Sequence, residues 1–227
     1  MTIRRSLVTS LLALSLSACG GDSEPDASLG PQLLEAARVG DADEVRDLLE
    51  RGAPVESRDP TGATPLVAAA YGNHLETARL LVDAGADVNV QDETQQSAYL
   101  IATSEVGDDP RLLELTLEHG AHVNAKDSYN GTGLIRAAER GYATIVGRLL
   151  DTPIEVDHVN RLGWTALLEA IILGEGGAEH TEVVRKLVAA GADVALADGG
   201  AITPLAHARR QGFAQIVEIL ERAGTRG

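Results

Sequence analysis

The chain has few of the residues that proteins use for crosslinks, aromatic cores or familiar catalytic motifs. It has one cysteine, Cys19, so no disulfide can form within it, and aromatic residues are 3% of the total. The core must therefore be aliphatic and rich in alanine. CxxC, HExxH and GxSxG patterns are also missing, which leaves no metal site of recognisable spacing and no serine nucleophile. We expect no metal, no cofactor and no enzymatic activity.

Positive charge is scarce as well. The chain has 19 Lys and Arg against 34 Asp and Glu, a formal net charge of −15, and only Lys126 and Lys186 are lysines. Such a chain repels the phosphates of nucleic acids and attracts basic surfaces. The composition excludes nucleic acid as a partner and favours a protein with a basic surface, bound by a monomer.

No apolar run is long enough for a membrane-spanning helix, but a shorter run lies near the N-terminus. Arg4 and Arg5 precede about ten mostly apolar residues, Leu7 to Leu16, which is typical of a cleaved export signal. The following Leu16-Ser17-Ala18-Cys19 resembles the end of a bacterial lipoprotein signal, whose cysteine receives the lipid. An ordinary export signal with an incidental cysteine is the alternative.

The lipoprotein resemblance divides the chain and gives it a location. Residues 1–18 are predicted to be the signal peptide, and residues 19–30 the lipidated Cys19 with a flexible acidic linker. The folded part is then expected on the periplasmic side of a bacterial cell envelope. Gly20 stands where an aspartate would resemble the inner-membrane retention signal, which favours the outer membrane in a cell that has one.

A glycine-alanine-x-valine motif recurs along the remainder of the chain. Its copies are separated by 33, 35, 33, 38 and 33 residues. They begin at Gly52, Gly85, Gly120, Pro153, Gly191 and Gly224, of which the copies at Pro153 and Gly224 are degenerate. A fixed period in this range predicts a solenoid of stacked units rather than one globular core.

The second unit indicates what each copy contains. Asp59-Pro60-Thr61-Gly62 is typical of a turn, and Thr64-Pro65-Leu66 begins a helix with threonine as N-cap and proline at the first helical position. Asn73 ends that helix. His74-Leu75-Glu76 opens a second helix, in which His74 is expected to act as a cap, and Gly85 ends it.

These residues resemble a known family. Thr64-Pro65-Leu66, Leu80-Leu81 and Gly85-Ala86-Asp87-Val88-Asn89 match the ankyrin repeat consensus, and the match extends over roughly Leu33 to Gly224. The resemblance implies an all-α solenoid of about six helix-turn-helix units with β-hairpin-like connecting loops. The units are about 31–58, 59–91, 92–126, 127–159, 160–197 and 198–227, called units one to six below. Both terminal units have polar outer faces, so we expect a complete array over 31–227.

Ankyrin repeat proteins bind other proteins in a concave groove formed by the loop tips and the first helices. Carried over to this sequence, the groove positions predict these partner-binding residues: Tyr71, Glu139, Arg140, Trp164, Ile172, Leu173 and Ile202. Trp164, Ile172 and Leu173 would form one apolar patch on unit five. Alternatively, Trp164 fills gaps between units, and Ile172 and Leu173 are buried under the neighbouring loop.

Two insertions interrupt the period. Residues 175–179 lengthen unit five, which predicts an overhanging first helix, a mobile flap beside the apolar patch, or ordinary surface drift. A smaller insertion around Asp108-Asp109-Pro110 is expected to be drift.

One column of the first helices is polar in three successive units, at Arg136, Glu169 and His207. Because neighbouring helices pack 8–10 Å apart, these side chains could form a polar ladder across the stack. The ladder is either a structural salt bridge or a line that binds a ligand or responds to protons.

Two classes of function follow. The first is a non-enzymatic module, tethered to the envelope, that binds a partner protein in the groove as a scaffold, a stress-protection factor or an inhibitor or immunity factor. The second is a small-ligand receptor or enzyme that uses Arg136, Glu169 and His207.

Overall fold

The computed structural model describes residues 26–225, and this part of the chain is all-helical. A 3-10 turn at Ala27–Leu29 precedes twelve α-helices, and residues 26–225 contain no β-strand. The helices are α1 (Gly30–Val39), α2 (Ala42–Glu50), α3 (Pro65–Tyr71), α4 (Leu75–Asp83), α5 (Ala98–Ser104), α6 (Arg111–Glu118), α7 (Gly133–Arg140), α8 (Ala143–Leu150), α9 (Ala166–Ile172), α10 (Ala178–Ala189), α11 (Pro204–Gln211) and α12 (Ala214–Gly224). They form six pairs, one for each predicted unit, which confirms the predicted solenoid. None of them is long and apolar enough to cross a membrane.

Five of the first helices begin at the predicted cap. In each, the hydroxyl of a Thr or Ser accepts a hydrogen bond from the backbone N–H three residues later, at 3.3–3.5 Å. The cap residues are Thr64, Ser97, Thr132, Thr165 and Thr203. Pro65 and Pro204 follow two of them at the first helical position, where the missing N–H costs nothing. Each cap of this kind contributes about 1 kcal/mol.

The loops between units are tight turns built on one recurring residue, which we call the turn residue. Its side-chain oxygen accepts hydrogen bonds from the backbone N–H groups two and four residues later, at 2.8–3.1 Å. The turn residues are Asp59, Asp92, Asp127, Asn160 and Asp198. Three residues after each turn residue the backbone has a positive φ. In unit two this residue is Gly62, the glycine predicted for this conformation, and its φ is 76°.

The core is aliphatic and continues through the stack. Every residue of α5 is buried, and so is every residue of α3 except Tyr71. Tyr99 is the largest fully buried side chain, and its hydroxyl donates to the carbonyl oxygen of Val123 at 2.8 Å. Burial raises the pKa of this hydroxyl, which therefore stays neutral.

A second set of hydrogen bonds joins consecutive units, and we call it the seam. Asn89 Oδ1 accepts from the backbone N–H of His122 at 2.7 Å, and its Nδ2 donates to the carbonyl oxygen of Gly120 at 3.2 Å. Asn124 repeats both contacts one unit later. The seam acceptors are Glu56, Asn89, Asn124 and Asp157, and the backbone donors are those of Asp87, His122, Glu155 and Asp193.

The insertion in unit five lengthens its second helix instead of its first. Helix α9 has seven residues, as α3 has, whereas α10 has twelve residues against nine in α4. The expected overhang of the first helix is therefore wrong. The loop before α10 is packed: Gly176 has a φ of 67°, and a Cβ there would overlap the ring of Phe213 in unit six.

The smaller insertion has a structural role. Helix α8 lacks a side-chain cap of its own. Asp108, from the preceding unit, accepts hydrogen bonds from the backbone N–H groups of Thr144 and Ile145 at 3.0 and 2.9 Å. This carboxylate therefore caps a helix 36 residues later in the chain, so the insertion is not drift.

The start of the folded part differs from the prediction. Residues 19–30 were expected to form a flexible linker, but Asp26 caps the 3-10 turn, Leu29 is buried, and Gly30 begins α1. The packed region therefore begins before residue 31. The predicted signal peptide and Cys19 lie outside the described residues.

Candidate partner-binding groove

The predicted groove residues separate into two groups. Glu139, Arg140 and Leu173 line one cavity of about 260 Å³ between the loop tips and first helices of units four and five. Trp164, Ile172 and Ile202 are half-buried and do not line it. Of the expected apolar patch of Trp164, Ile172 and Leu173, only Leu173 lines this cavity.

Trp164 and Tyr71 have other surroundings. The backbone of Trp164 completes a turn, because its N–H donates to Asn160 Oδ1 at 3.1 Å and its carbonyl oxygen accepts from the N–H of Asn160.

Tyr71 is 48% exposed at the end of α3. Burial raises the pKa of its hydroxyl, and the charges of Asp92 and Glu105 raise it further. Tyr71 therefore lies near Asp92 and Glu105 of unit three and does not line the cavity.

The rim of the cavity carries three large apolar side chains. Tyr129 is 64% exposed, Leu162 52% and Leu173 49%. Of these three side chains, only Leu173 was predicted from the sequence. Tyr129 and Leu162 each lie two residues after a turn residue, where units two, three and six have Thr61, Thr94 and Gly200. Comparing the residue two positions after the turn residue in every unit would have identified Tyr129 and Leu162.

The floor of the cavity is polar, and Arg136 joins two units there. Its guanidinium donates to Asp127 Oδ2 at 2.9 Å, to Glu105 Oε1 at 2.9 Å and to Ser104 Oγ. The side chain is only 16% exposed. Both neighbouring carboxylates therefore compensate its charge.

Glu169 is the least satisfied group of the floor. It is 3% exposed, and its Oε1 accepts a hydrogen bond from Asn160 Nδ2 at 2.6 Å. Its Oε2 is buried without a hydrogen-bond partner. Burial raises the pKa of the carboxyl to about 7, the bond from Asn160 opposes that rise, and the charges of Glu139 and Asp127 add to it.

The predicted polar ladder does not form as a continuous line. Arg136, Glu169 and His207 do occupy equivalent positions, but each pairs with the turn residue nine positions earlier in its own unit. His207 Nε2 lies 2.8 Å from Asp198 Oδ2. The pKa of Asp198 is lowered by the backbone N–H of Ile202 and then by His207. In the described residues no hydrogen bond or ion pair joins the three side chains to one another, because each turn residue is closer.

The histidines at the starts of second helices join units. His74 makes no side-chain cap, contrary to the prediction, and its Nε2 is 3.2 Å from the carbonyl oxygen of Arg38. His180 Nε2 is 3.0 Å from the carbonyl oxygen of Glu139. Within residues 26–225 no group of His, Cys, Asp and Glu is arranged to hold a metal ion.

Comparisons with known proteins agree with this architecture. A family model described as ankyrin repeats (3 copies) matches residues 16–92, 33–127 and 99–198. The ankyrin repeat protein YahD of Escherichia coli (strain K12) is 37% identical over 198 residues, which cover 87% of this chain and 98% of that protein.

Solved structures are similar along most of the chain. An ankyrin repeat domain from Acinetobacter baumannii AYE has 42% identity and a TM-score of 0.80 over 85% of this chain and 97% of its own. The human ASB11 ankyrin repeat domain has 25% identity and a TM-score of 0.72 over 85% and 83%. Ankyrin repeats are in general modules of protein–protein interaction. On the family matches, the helix pairs and the recurring turns together, the chain belongs to the ankyrin repeat family.

Proposed function

We propose that this protein is a non-enzymatic binding module, which holds a partner protein in the groove at units four and five. The observation that carries the proposal is the cavity rimmed by three exposed apolar side chains, Tyr129, Leu162 and Leu173. Apolar side chains grouped in this way around a concavity are typical of contact sites.

Charge supports a basic partner. The chain has a formal net charge of −15, and the two cations that line the cavity, Arg136 and Arg140, both lie close to Glu105, at 2.9 and 3.9 Å. A basic protein would be attracted over a distance and then held by apolar contacts.

The location of the module is part of the proposal. The segment that ends in Leu-Ser-Ala-Cys would tether the folded part through Cys19 to the periplasmic side of a bacterial envelope, with the outer membrane favoured. Whether the module serves as a scaffold, a stress-protection factor or an inhibitor or immunity factor depends on the partner, which the following experiment identifies.

Crosslinking in the native bacterium tests the groove. Envelope proteins crosslinked to the tagged full chain are quantified by mass spectrometry for the parent and for the double variant Leu162→Ser, Leu173→Ser. We expect the partner's yield to fall about tenfold or more, as loss of central apolar contacts does in other interfaces. Val39→Ser, which changes an apolar side chain that is 61% exposed in unit one, is the matched control. Equal yields from the parent and the double variant would reject the groove.

A further inference from the structure

We propose that the cavity between units four and five accepts a lysine side chain of the partner protein, whose ammonium group donates a hydrogen bond to Oε2 of Glu169. This inference rests on the proposed function, because it specifies the chemistry of the residue that the groove recognises.

The first step is the unpaired oxygen. Buried polar atoms in folded proteins are almost always hydrogen-bonded, and leaving one unpaired costs about 1–3 kcal/mol. Glu169 is 3% exposed, lines the cavity, and has its Oε2 without a partner. The fold therefore keeps an acceptor at the cavity floor that a donor from outside the chain can satisfy.

The second step is the sign of the charge. Arg136 is already compensated by Asp127 and Glu105, and Arg140 lies 3.9 Å from Glu105. No cation of the floor pairs with Glu169 among the described contacts, and Glu139 adds a further negative charge to the lining. A cationic donor is favoured over an anion or a neutral group.

The third step is the shape of the entrance. A lysine has an aliphatic stem that ends in a compact ammonium group. The exposed side chains of Tyr129, Leu162 and Leu173 can contact such a stem while the ammonium group goes to the floor. At about 260 Å³ the cavity is smaller than typical pockets for drug-sized ligands, and it suits a single side chain. Because Oε2 is buried, the side chains that cover it must move aside as the ammonium enters.

Nuclear magnetic resonance on the ¹⁵N-labelled full chain in mild detergent tests the inference with small probes. Nα-acetyl-lysine methylamide is titrated beside Nα-acetyl-norleucine methylamide, a neutral probe of similar shape, and cadaverine, a free diamine. Near pH 8, where the Glu169 carboxyl is ionised, we expect the lysine probe to give saturable shifts at the amides of Leu162, Glu169 and Leu173. In Glu169→Gln its affinity should fall about tenfold, the loss expected for a hydrogen bond to a charged group. Glu182→Gln removes the same charge on α10, outside this cavity, and should leave the affinity unchanged.

Several results would overturn the inference. Equal binding of the norleucine probe would mean that the rim binds apolar chains and the carboxyl plays no part. Tighter binding of cadaverine than of the lysine probe would assign the cavity to a free polyamine. No shifts at these amides, or equal affinity in Glu169→Gln, would leave Glu169 as a structural residue. The crosslinking test of the groove depends on the rim and on no probe, so the proposed function can hold when this inference fails.

Discussion

At the scale of single residues, three of the five turn residues pair with a polar helix residue nine positions later, and the two side chains of each pair can form a hydrogen bond. Asp127 pairs with Arg136, and Asp198 with His207. In unit five the helix residue is Glu169, and the turn residue is Asn160, whose Nδ2 can donate to a carboxyl. An aspartate there would place two acceptors against each other. The substitution of Asn for Asp is therefore what allows a carboxyl on the cavity floor.

The pKa of Glu169 predicts how stability depends on pH. Burial raises this pKa from 4.5 to about 7 in the folded chain, so the folded state holds the proton more tightly than the unfolded state. The stabilising contribution is complete below about pH 4.5 and is lost as the pH rises through about 7. We expect Glu169→Gln, which cannot ionise, to unfold with a free energy about 2–3 kcal/mol above the parent near pH 8. Urea unfolding of both chains across the pH range measures the difference.

The same series contains its own control. The difference between Glu169→Gln and the parent should shrink to less than about 1 kcal/mol near pH 5, where the parent carboxyl is protonated. Glu182→Gln, which alters a carboxylate that pairs with Arg185 on the surface of α10, should show no such trend. A difference for Glu169→Gln that is the same at both ends of the range would contradict the raised pKa.

The sequence predicted which residues of the first helices are polar and equivalent, but it did not predict their partners. Helical periodicity places Arg136, Glu169 and His207 on one face, and the structure has them at equivalent positions of their helices. The partner of each is set by how the turn folds back over the helix start. One oxygen of the turn residue is used by two backbone N–H groups, which directs its other polar atom toward the helix.

At the scale of helices, caps that depend on neighbours in sequence could be predicted and the others could not. Thr64 and the equivalent residues of units three to six lie directly before their helices, so the local pattern identified them. Helix α8 is capped by Asp108 from the preceding unit, and no local rule connects residues 36 positions apart. The insertion in unit five was located in the sequence, but of the three outcomes left open the longer first helix is wrong, because the number of added residues does not say which helix extends.

Removing the cap from the preceding unit should weaken α8. We expect Asp108→Ala to lower the free energy of unfolding by about 1–2 kcal/mol, since two backbone N–H groups lose their acceptor. The amides of Thr144 and Ile145 should also exchange hydrogen faster. Calorimetry and hydrogen exchange measure the two effects. Asp83→Ala is the matched control, because that exposed aspartate makes no side-chain hydrogen bond or ion pair among the described contacts; equal losses in the two variants would rule out the capping role.

At the scale of the whole molecule, the repeat period alone predicted the architecture, but it did not predict the binding surface. A step of 33 to 38 residues repeated along the chain predicts stacked helix pairs, and the structure has them. The cavity requires two adjacent units that both carry large apolar side chains after their turn residues. Tyr129 and Leu162 meet that condition. Because it involves two adjacent units, the consensus sequence of a single repeat does not show it.

Attachment of the whole molecule to a membrane is the last prediction. If Cys19 carries a lipid, Cys19→Ser should move the protein from the membrane fraction to the soluble fraction, because the acyl chains attached to that cysteine supply the membrane affinity. Fractionation of the bacterial envelope followed by immunoblotting measures it. Ser23→Ala, in the same segment, should stay with the membrane. A Cys19→Ser protein that still sediments with membranes would remove the tether from the proposal.

The seam has a consequence for how such a chain changes in evolution. Glu56, Asn89, Asn124 and Asp157 all bind the backbone N–H of the next unit and none of its side chains. A joint of that kind does not depend on which residues the next unit carries at its surface. Units can therefore be duplicated, lost or exchanged by recombination while the joint is kept. Residues on the groove surface can diverge while these four backbone bonds remain.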